Sequence, residues 1–436
     1  MSGLTTRPAG AGAVPAGGAG AGAGADAGAG ADAGAGAGGG VVHPVTLTTL
    51  DGVQLDVGCD GATDVLAAAE RAGYVLPSLC RKGTCGACHA TVHGDRVLGE
   101  HSPLALPDAD LAAGGALLCR TYPRGPLRVA LRCEDSRIIR GRIPRREAQV
   151  IEVRPVSPDG RTVLVRLQLA PDEASGLGVE FEPGQFVEVE VPADGVGADE
   201  VEVAAGQVGA GGSGGDGSGA DGSGAGGSGA DEAPEPVRRA YSLANTANWD
   251  GLVELLIRLQ PGGRFSSWLQ RRGRPGARLV VHGPQGAFGL RENGIRPRWF
   301  VAGGTGLAPI VAMLRRMAEW GDPQPVRLFL GVTAEQELPA DDALPELAQA
   351  LGQLPGAQVE RWVWRPGTGW PGPVGTPVDG LRAAAAEPVP GGGGVPVDLP
   401  DVYVCGPPAL VDAATTAALD AGLPADHLHV ERFLPG

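Results

Sequence analysis

Four cysteines constrain this chain more than any other feature of its 436 residues. Cys80, Cys85 and Cys88 lie in "CRKGTCGACHA" with the spacing C-x4-C-x2-C, and Cys119 follows thirty residues later in "ALLCRTYP". A fold that gathers them needs a tight loop for three thiols and a distant segment that returns with the fourth. Gly83 and Gly86 suit such a loop, because they let the backbone turn sharply and aim N–H groups inward.

Three occupants compete for these thiols: zinc, a c-type haem and an iron–sulfur cluster. "CGACH" matches the C-x-x-C-H haem pattern, but that reading leaves Cys80 and Cys119 unused. A zinc site normally shows a second close pair of ligands, and Cys119 stands alone. The spacing is that of a plant-type [2Fe–2S] site, in which Cys80, Cys85, Cys88 and Cys119 hold two irons. Cys59 and Cys133 read as buried packing residues, and His89 as a surface residue. The flanks suit the cluster. "VTLTTL" and "VQLDVGC" alternate as two strands of a hairpin about "DG". "DVLAAAERAG" predicts a helix with Asp64 at its start and Gly73 past its end. "PDADLAAG" predicts a second short helix and "LRVALR" a closing strand, which is the order of a β-grasp ferredoxin domain over 41–137.

Composition separates the folded parts from the rest. The chain has 74 Gly and 38 Pro, concentrated in Ala/Gly-rich tracts at 1–40 and 193–236. Such sequence has little to bury, so a disordered tail and a disordered insertion are expected. The second tract carries nine acids and no Lys or Arg; without it the net charge falls from −15 to −6. No basic stripe offers itself to phosphates, so nucleic acid is not an expected partner. "MSGLTTRPAG" has no apolar core behind its charge, and the longest uncharged apolar run, 299–314, is too short to span a bilayer. A soluble cytoplasmic protein without a membrane partner is expected. Cysteines in that compartment favour metal or redox work over disulfides.

Beyond residue 140 the pattern turns strand-rich: "AQVIEVRPV", "RTVLVRLQL", "GQFVEVEVP", "RRAYSLAN" and "LVELLIRLQ". A six-stranded antiparallel β-barrel over 145–292 is expected. Arg239, Tyr241 and Ser242 form R-x-Y-S. Arg offers a fork to a flavin pyrophosphate, Tyr a flat face for the ring system, and Ser a short donor near N5. Alone, the four residues also fit a plain strand end. "PGGRFSSWL" adds a turn at Gly262 and Gly263, with Ser266 opening a helix that can face a phosphate. From 295 to 436 the texture is doubly wound α/β. "RWFVAGGTGLAP" runs from a strand into Gly303, Gly304, Thr305 and Gly306, where the backbone can approach a dinucleotide pyrophosphate, or where the turn is simply tight. Cys405 ends a later strand in "DVYVCGPP", where open α/β sheets bind ligands. The strand "VRLFLGV" is followed by acids and no Arg or Lys; Glu335 is the expected discriminator against a 2′-phosphate.

The order C-x4-C-x2-C…C, R-x-Y-S, G-G-T-G-x-x-P, C-G-P-P resembles the fused ferredoxin–flavin reductases that feed bacterial oxygenases. Within that group the chain is most similar to the reductase component of soluble methane monooxygenase and related diiron alkane monooxygenases. "LLCRTYP", "FEPGQF", "IRLQPGGRFSSWL", "WVWRPGTGWPGPVGTPVDGLR" and "ERFLPG" carry that likeness. The resemblance implies FAD at Arg239, Tyr241, Ser242, Arg258, Gly263 and Ser266. It implies NADH at Gly303, Gly304, Thr305 and Gly306, with Cys405 and Gly406 near the nicotinamide and Glu431 and Phe433 close to the flavin. NADH then reduces FAD, FAD reduces the [2Fe–2S] cluster, and a separate diiron hydroxylase takes the electrons. Ser242, Cys405, Glu431 and Phe433 are the expected catalytic set, on a chain with no need to be more than a monomer. A reductase for a Rieske-type aromatic-ring dioxygenase is the alternative, and an electron carrier or redox sensor using the cluster alone is the reading of another class.

Overall fold

The computed structural model describes residues 41–173, 176–192, 236–291, 296–387 and 399–433. The expected tail 1–40, and the expected insertion apart from Pro236, lie outside the described residues.

Every second residue of the first hairpin is apolar and buried: Val45 and Leu47 on β1 (Val42–Thr48), Leu55, Val57 and Cys59 on β2 (Gln54–Asp60). Such alternation lays one face on a core. Helix α1 (Val65–Arg71) covers that face with Val65, Leu66, Ala68 and Ala69. Asp64 caps it by accepting the Ala67 N–H at 2.9 Å, and Gly73 follows its end at φ +86°. With β3 (His89–His93), helix α2 (Asp108–Ala112), β4 (Gly115–Leu117) and β5 (Leu127–Leu131), the sheet runs β2-β1-β5-β3-β4. Only β1 and β5 pair in parallel. This is the expected β-grasp arrangement. His89 differs from expectation: its side chain is 8% exposed, because α2 folds over it and sets Asp110 Oδ2 3.2 Å from Nε2.

Six antiparallel strands follow: β6 (Arg145–Pro155), β7 (Thr162–Leu169), β8 (Phe186–Val191), β9 (Val237–Ser242), β10 (Leu252–Arg258) and, after helix α3 (Arg264–Arg272), β11 (Arg278–Gln285). In the order β9-β8-β11-β6-β7-β10 the sheet curls into a half-barrel, and its edges meet where Leu243 bridges Leu255.

The last sheet is wholly parallel. Strands β12 (Arg298–Gly303), β13 (Val326–Val332), β14 (Gln358–Val363), β15 (Asp401–Gly406) and β16 (Leu428–Arg432) lie in the order β14-β13-β12-β15-β16. All six residues of β15 are buried, as expected for a strand covered on both faces. Helices α4 (Leu307–Trp320) and α5 (Pro345–Gln353) share one core, and α6 (Pro377–Ala385) and α7 (Pro408–Asp420) share another with Val301, Phe329 and Val404. Among the described residues no helix is long and apolar enough to cross a membrane.

The half-barrel and the parallel sheet share a core. Val156, Leu164, Leu256 and Phe288 pack in one cluster with Leu307, Ile310, Met313 and Leu314. Over it lies an ion-pair network. The buried Glu254 on β10 accepts from Arg166 on β7 at 2.9 Å and from Arg315 on α4 at 2.6 Å, and Arg166 also reaches Glu346 on α5 at 2.6 Å. The β-grasp part instead packs around a core of its own.

Candidate functional site

The cysteine loop between α1 and β3 turns on three residues with positive φ, Arg81 (55°), Gly83 (75°) and Gly86 (80°). Gly83 has a second reason to be glycine: a Cβ there would lie 2.8 Å from the Glu100 carbonyl oxygen. Backbone N–H groups point at sulfur. Lys82 and Thr84 donate to Cys80 Sγ at 3.3 and 3.4 Å, and Ala87 donates to Cys85 Sγ at 3.4 Å. Cys119, in a one-turn 3-10 helix at Leu118–Arg120, meets Cys88 with the sulfurs 3.4 Å apart.

The thiols therefore fall into two pairs, Cys80 with Cys85 and Cys88 with Cys119. Cys80 is pulled down to about 4, first by the Cys85 thiol that donates to it, and Cys85 is pushed up. Cys119 is lowered by the donating Cys88, which is raised. Within each pair one thiol is thus shifted toward the thiolate and its partner away from it. Among the described residues no group of three or more His, Cys, Asp or Glu is disposed to hold a metal ion. Paired thiolates with N–H donors fit a binuclear cluster, in which each iron takes two thiolates. Cys59 and Cys133 are buried and stand apart, and burial raises them to about 11 and about 12.

On β9, the Arg239 guanidinium donates to the Arg238 carbonyl at 2.8 Å and has no carboxylate partner among the described residues. The Tyr241 ring packs 5.1 Å from Phe265, and burial pushes its phenol up. Gly262 turns at φ +70° and Gly263 caps α3. Ser266 is the third residue of that helix rather than its opening, and its buried Oγ accepts the Gln260 N–H at 2.9 Å. Arg258 sits apart from this group. Asp159 (2.8 Å) and Glu337 (3.0 Å) hold its guanidinium at the boundary with the parallel sheet.

The turn after β12 explains its glycines one by one. A Cβ on Gly306 would lie 2.1 Å from the Cys405 carbonyl oxygen, and one on Gly303 would lie 2.5 Å from Leu410 Cδ2. These two are small so that the turn can press on β15 and α7. Gly304, at φ +54°, faces open space beside Thr305 and leaves its backbone free to meet a ligand.

Residues far apart in sequence converge at the end of β15. Glu431 Oε2 accepts from Ser242 Oγ at 3.1 Å and lies 3.7 Å from Cys405 Sγ. Burial raises the Glu431 carboxyl to about 7, although hydrogen bonds from Ser242 and Cys405 oppose the rise. The Phe433 N–H donates to the Gly406 carbonyl at 2.8 Å and ties the segment after β16 to the end of β15, while its ring packs on the shared core. Beyond β13, Glu335 accepts the Gly367 N–H at 2.9 and 3.1 Å, which holds its carboxyl below the usual range. Sequence reasoning missed a neighbour. Arg365 hydrogen-bonds through its N–H to the Thr333 carbonyl at 2.8 Å, and its guanidinium lies 4.1 Å over Trp364. A Trp-Arg pair in the loop after a strand is the only sequence signal for it.

A cysteine loop on a β-grasp sheet, a curled six-strand sheet and a doubly wound parallel sheet define a class of electron-transfer reductases. Residues 48–124 match the 2Fe-2S iron-sulfur cluster binding domain, 230–289 the oxidoreductase FAD-binding domain and 300–416 the oxidoreductase NAD-binding domain. The chain belongs to the fused ferredoxin and FAD/NAD reductase family and is an oxidoreductase. It is 33% identical to methane monooxygenase component C of Methylosinus trichosporium over 293 residues, 67% of this chain and 73% of that protein. It is 28% identical to the propane 2-monooxygenase reductase component of Rhodococcus jostii (strain RHA1) over 394 residues, 90% of this chain and 91% of that one. Among solved structures, the ferredoxin reductase in carbazole 1,9a-dioxygenase is 25% identical, with a TM-score of 0.55 over 90% of this chain and 99% of that one.

Proposed function

We propose that this chain takes electrons from NADH through FAD and a [2Fe–2S] cluster to the diiron hydroxylase of an alkane-type monooxygenase. The cofactors supply the chemistry: hydride acceptance by the flavin and one-electron carriage by the cluster. The chain's residues bind and orient. Cys80, Cys85, Cys88 and Cys119 would hold the cluster, each thiol pair supplying two ligands. Arg239 pairs the flavin pyrophosphate, Tyr241 lies along the ring system, and Gly263 and Ser266 shape the α3 end, where Ser266 acts by fixing the turn. Gly304 and Thr305 meet the NADH pyrophosphate on a turn seated by Gly303 and Gly306. Cys405 and Gly406 border the nicotinamide, and Glu335 takes the adenosine ribose. Arg258 supports the nucleotide side of the flavin site. The ranges 41–137, 145–292 and 295–436 are the three functional domains.

The observation that carries this reading is the meeting of Ser242 and Cys405 on one carboxylate oxygen of Glu431. It unites the flavin-side strand β9 with the nicotinamide-side strand β15. A carboxyl near 7 can hold or release a proton at that point in neutral solution. Phe433 shields it from water.

The likeness to a dioxygenase's ferredoxin reductase favours a second reading, a Rieske-type oxygenase as electron acceptor. Pairing the purified, cofactor-loaded chain with a diiron hydroxylase and with a Rieske oxygenase separates the two. NADH-driven turnover of the first alone is the expected result, and turnover of the second alone would replace the proposal.

A further inference from the structure

Glu431 and Arg432 are consecutive on β16, and successive strand side chains point to opposite sides. Glu431 meets Ser242 and Cys405. Arg432 turns the other way and reaches the cysteine loop. Its Nη1 lies 3.6 Å from the position a Cβ would take on Gly86, between Cys85 and Cys88. Its other two nitrogens are occupied: Nε and Nη2 donate to Asp412 Oδ1 on α7 at 3.2 and 2.8 Å. The side chain is only 15% exposed, so water screens it weakly. The end of one strand thus separates the flavin–nicotinamide site from the cluster loop and presents a cation to the latter.

We propose that Arg432 tunes the [2Fe–2S] cluster from the nucleotide domain, by favouring its reduced form, with Asp412 as the opposing charge. The proposal rests on the reading of Cys80, Cys85, Cys88 and Cys119 as cluster ligands. Reduction transfers one electron from the reduced flavin to the cluster; no bond forms or breaks, and the cluster gains one negative charge. A fixed guanidinium at the loop stabilises that added charge, and a carboxylate behind it weakens the effect.

The test is an EPR-monitored redox titration of the full, FAD- and cluster-loaded chain. Arg432→Gln should lower the cluster potential enough to cut its share of the electron about tenfold, 59 mV for a one-electron couple. Asp412→Asn should raise the potential by a smaller amount, and Arg432→Lys should stay near wild type. An unchanged potential in Arg432→Gln, or a shift of both neutralising variants in the same direction, overturns the proposal. If Arg432→Gln loses its cluster, the upward shift in Asp412→Asn decides alone, and its absence refutes the idea. A wild-type protein without a [2Fe–2S] signal would instead refute the ligand assignment.

Discussion

The proposed cluster loop and the proposed flavin–nicotinamide meeting point are built in opposite ways. Three of the four thiols come from nine consecutive residues, and the turns that aim N–H groups at them belong to the same segment. Ser242, Cys405 and Glu431 come from the half-barrel and from two strands of the parallel sheet, with 189 residues between the hydroxyl and the carboxylate. The first site depends on local backbone geometry. The second depends on how one sheet seats on another. A single cysteine should therefore destroy the first and leave the second, whereas damage to the sheet-to-sheet seam should reach only the second.

Serine at Cys80, Cys85, Cys88 or Cys119 is the most severe test. Each is expected to abolish the visible absorbance of a [2Fe–2S] cluster and electron delivery to a hydroxylase, with FAD retained and NADH–ferricyanide activity largely kept. Serine at Cys59 or Cys133 should leave the cluster spectrum intact, since both stand outside the two thiol pairs.

The seam is next in size. Glu254→Ala removes the one carboxylate that Arg315 pairs with among the described residues and one of three that Arg166 pairs with, since Glu152 and Glu346 remain to it. Both guanidiniums keep some contact with water, so the cost should fall below the range for a fully buried pair, at about 1–3 kcal/mol. Calorimetry should show the transition of the barrel and nucleotide parts move down, and that of the β-grasp part, with its separate core, stay. A uniform shift of both would show that the two sites are not independent.

Glu431→Gln probes the meeting point itself. NADH–ferricyanide turnover should fall at least about tenfold, and an inflection near pH 7, expected in the wild-type pH profile, should be absent from that of the variant. The stability effect has a definite sign. The folded carboxyl is raised from 4.5 to about 7, so folding favours its protonated form. That contribution is fully present below 4.5 and is lost as pH rises through 7. Glutamine does not titrate, so the wild-type melting temperature should fall relative to the variant across that window. A constant difference from pH 4 to 8 would place the carboxyl in the ordinary range.

What was legible in the sequence follows the same division. The Asp64 cap, the Gly73 stop and the first hairpin are local signals, and the fold uses them as written. It also brings the four cysteines of the spacing together in two pairs. His89 was misplaced because the strand it opens, "HATVH", alternates with Ala90 and Val92 inward, which puts His89 on the outer face. Only α2, arriving from Asp108 onward, covers that face. Ser266 reads as a free hydroxyl in "GGRFSSWL", yet the turn ahead of the helix claims it. Gly303 and Gly306 look alike in "GGTG" beside Gly304, but only the packing of β15 and α7 shows which of them face protein. Glu254 hides in an apolar strand, and its two arginines arrive from 88 residues before it and 61 after.

Nucleotide choice is the smallest of the expected effects, and it depends on both kinds of information. The stretch after β13 holds Glu335, Glu337, Asp341 and Asp342 with no Lys or Arg, which argues for NADH. Glu335 is ionised at neutral pH, since the Gly367 N–H lowers its carboxyl, and a 2′-phosphate beside it would meet like charge. Tertiary structure adds the opposing residue, Arg365, whose backbone is tied to Thr333 two residues before Glu335. Its guanidinium stacks on Trp364, and a cation in this loop would offset part of that repulsion if it reached the same phosphate. Stacking engages the guanidinium face and leaves its in-plane N–H donors free, so the preference for NADH is expected to rest on the Glu335 carboxylate. NADH is therefore expected to be preferred by at least about tenfold in kcat/KM, roughly 1.4 kcal/mol. Glu335→Arg should narrow the gap, and Arg365→Ala should widen it by removing the cation on Trp364. Equal use of NADPH by the wild type, abolished by Arg365→Ala, would transfer control of the choice from Glu335 to Arg365.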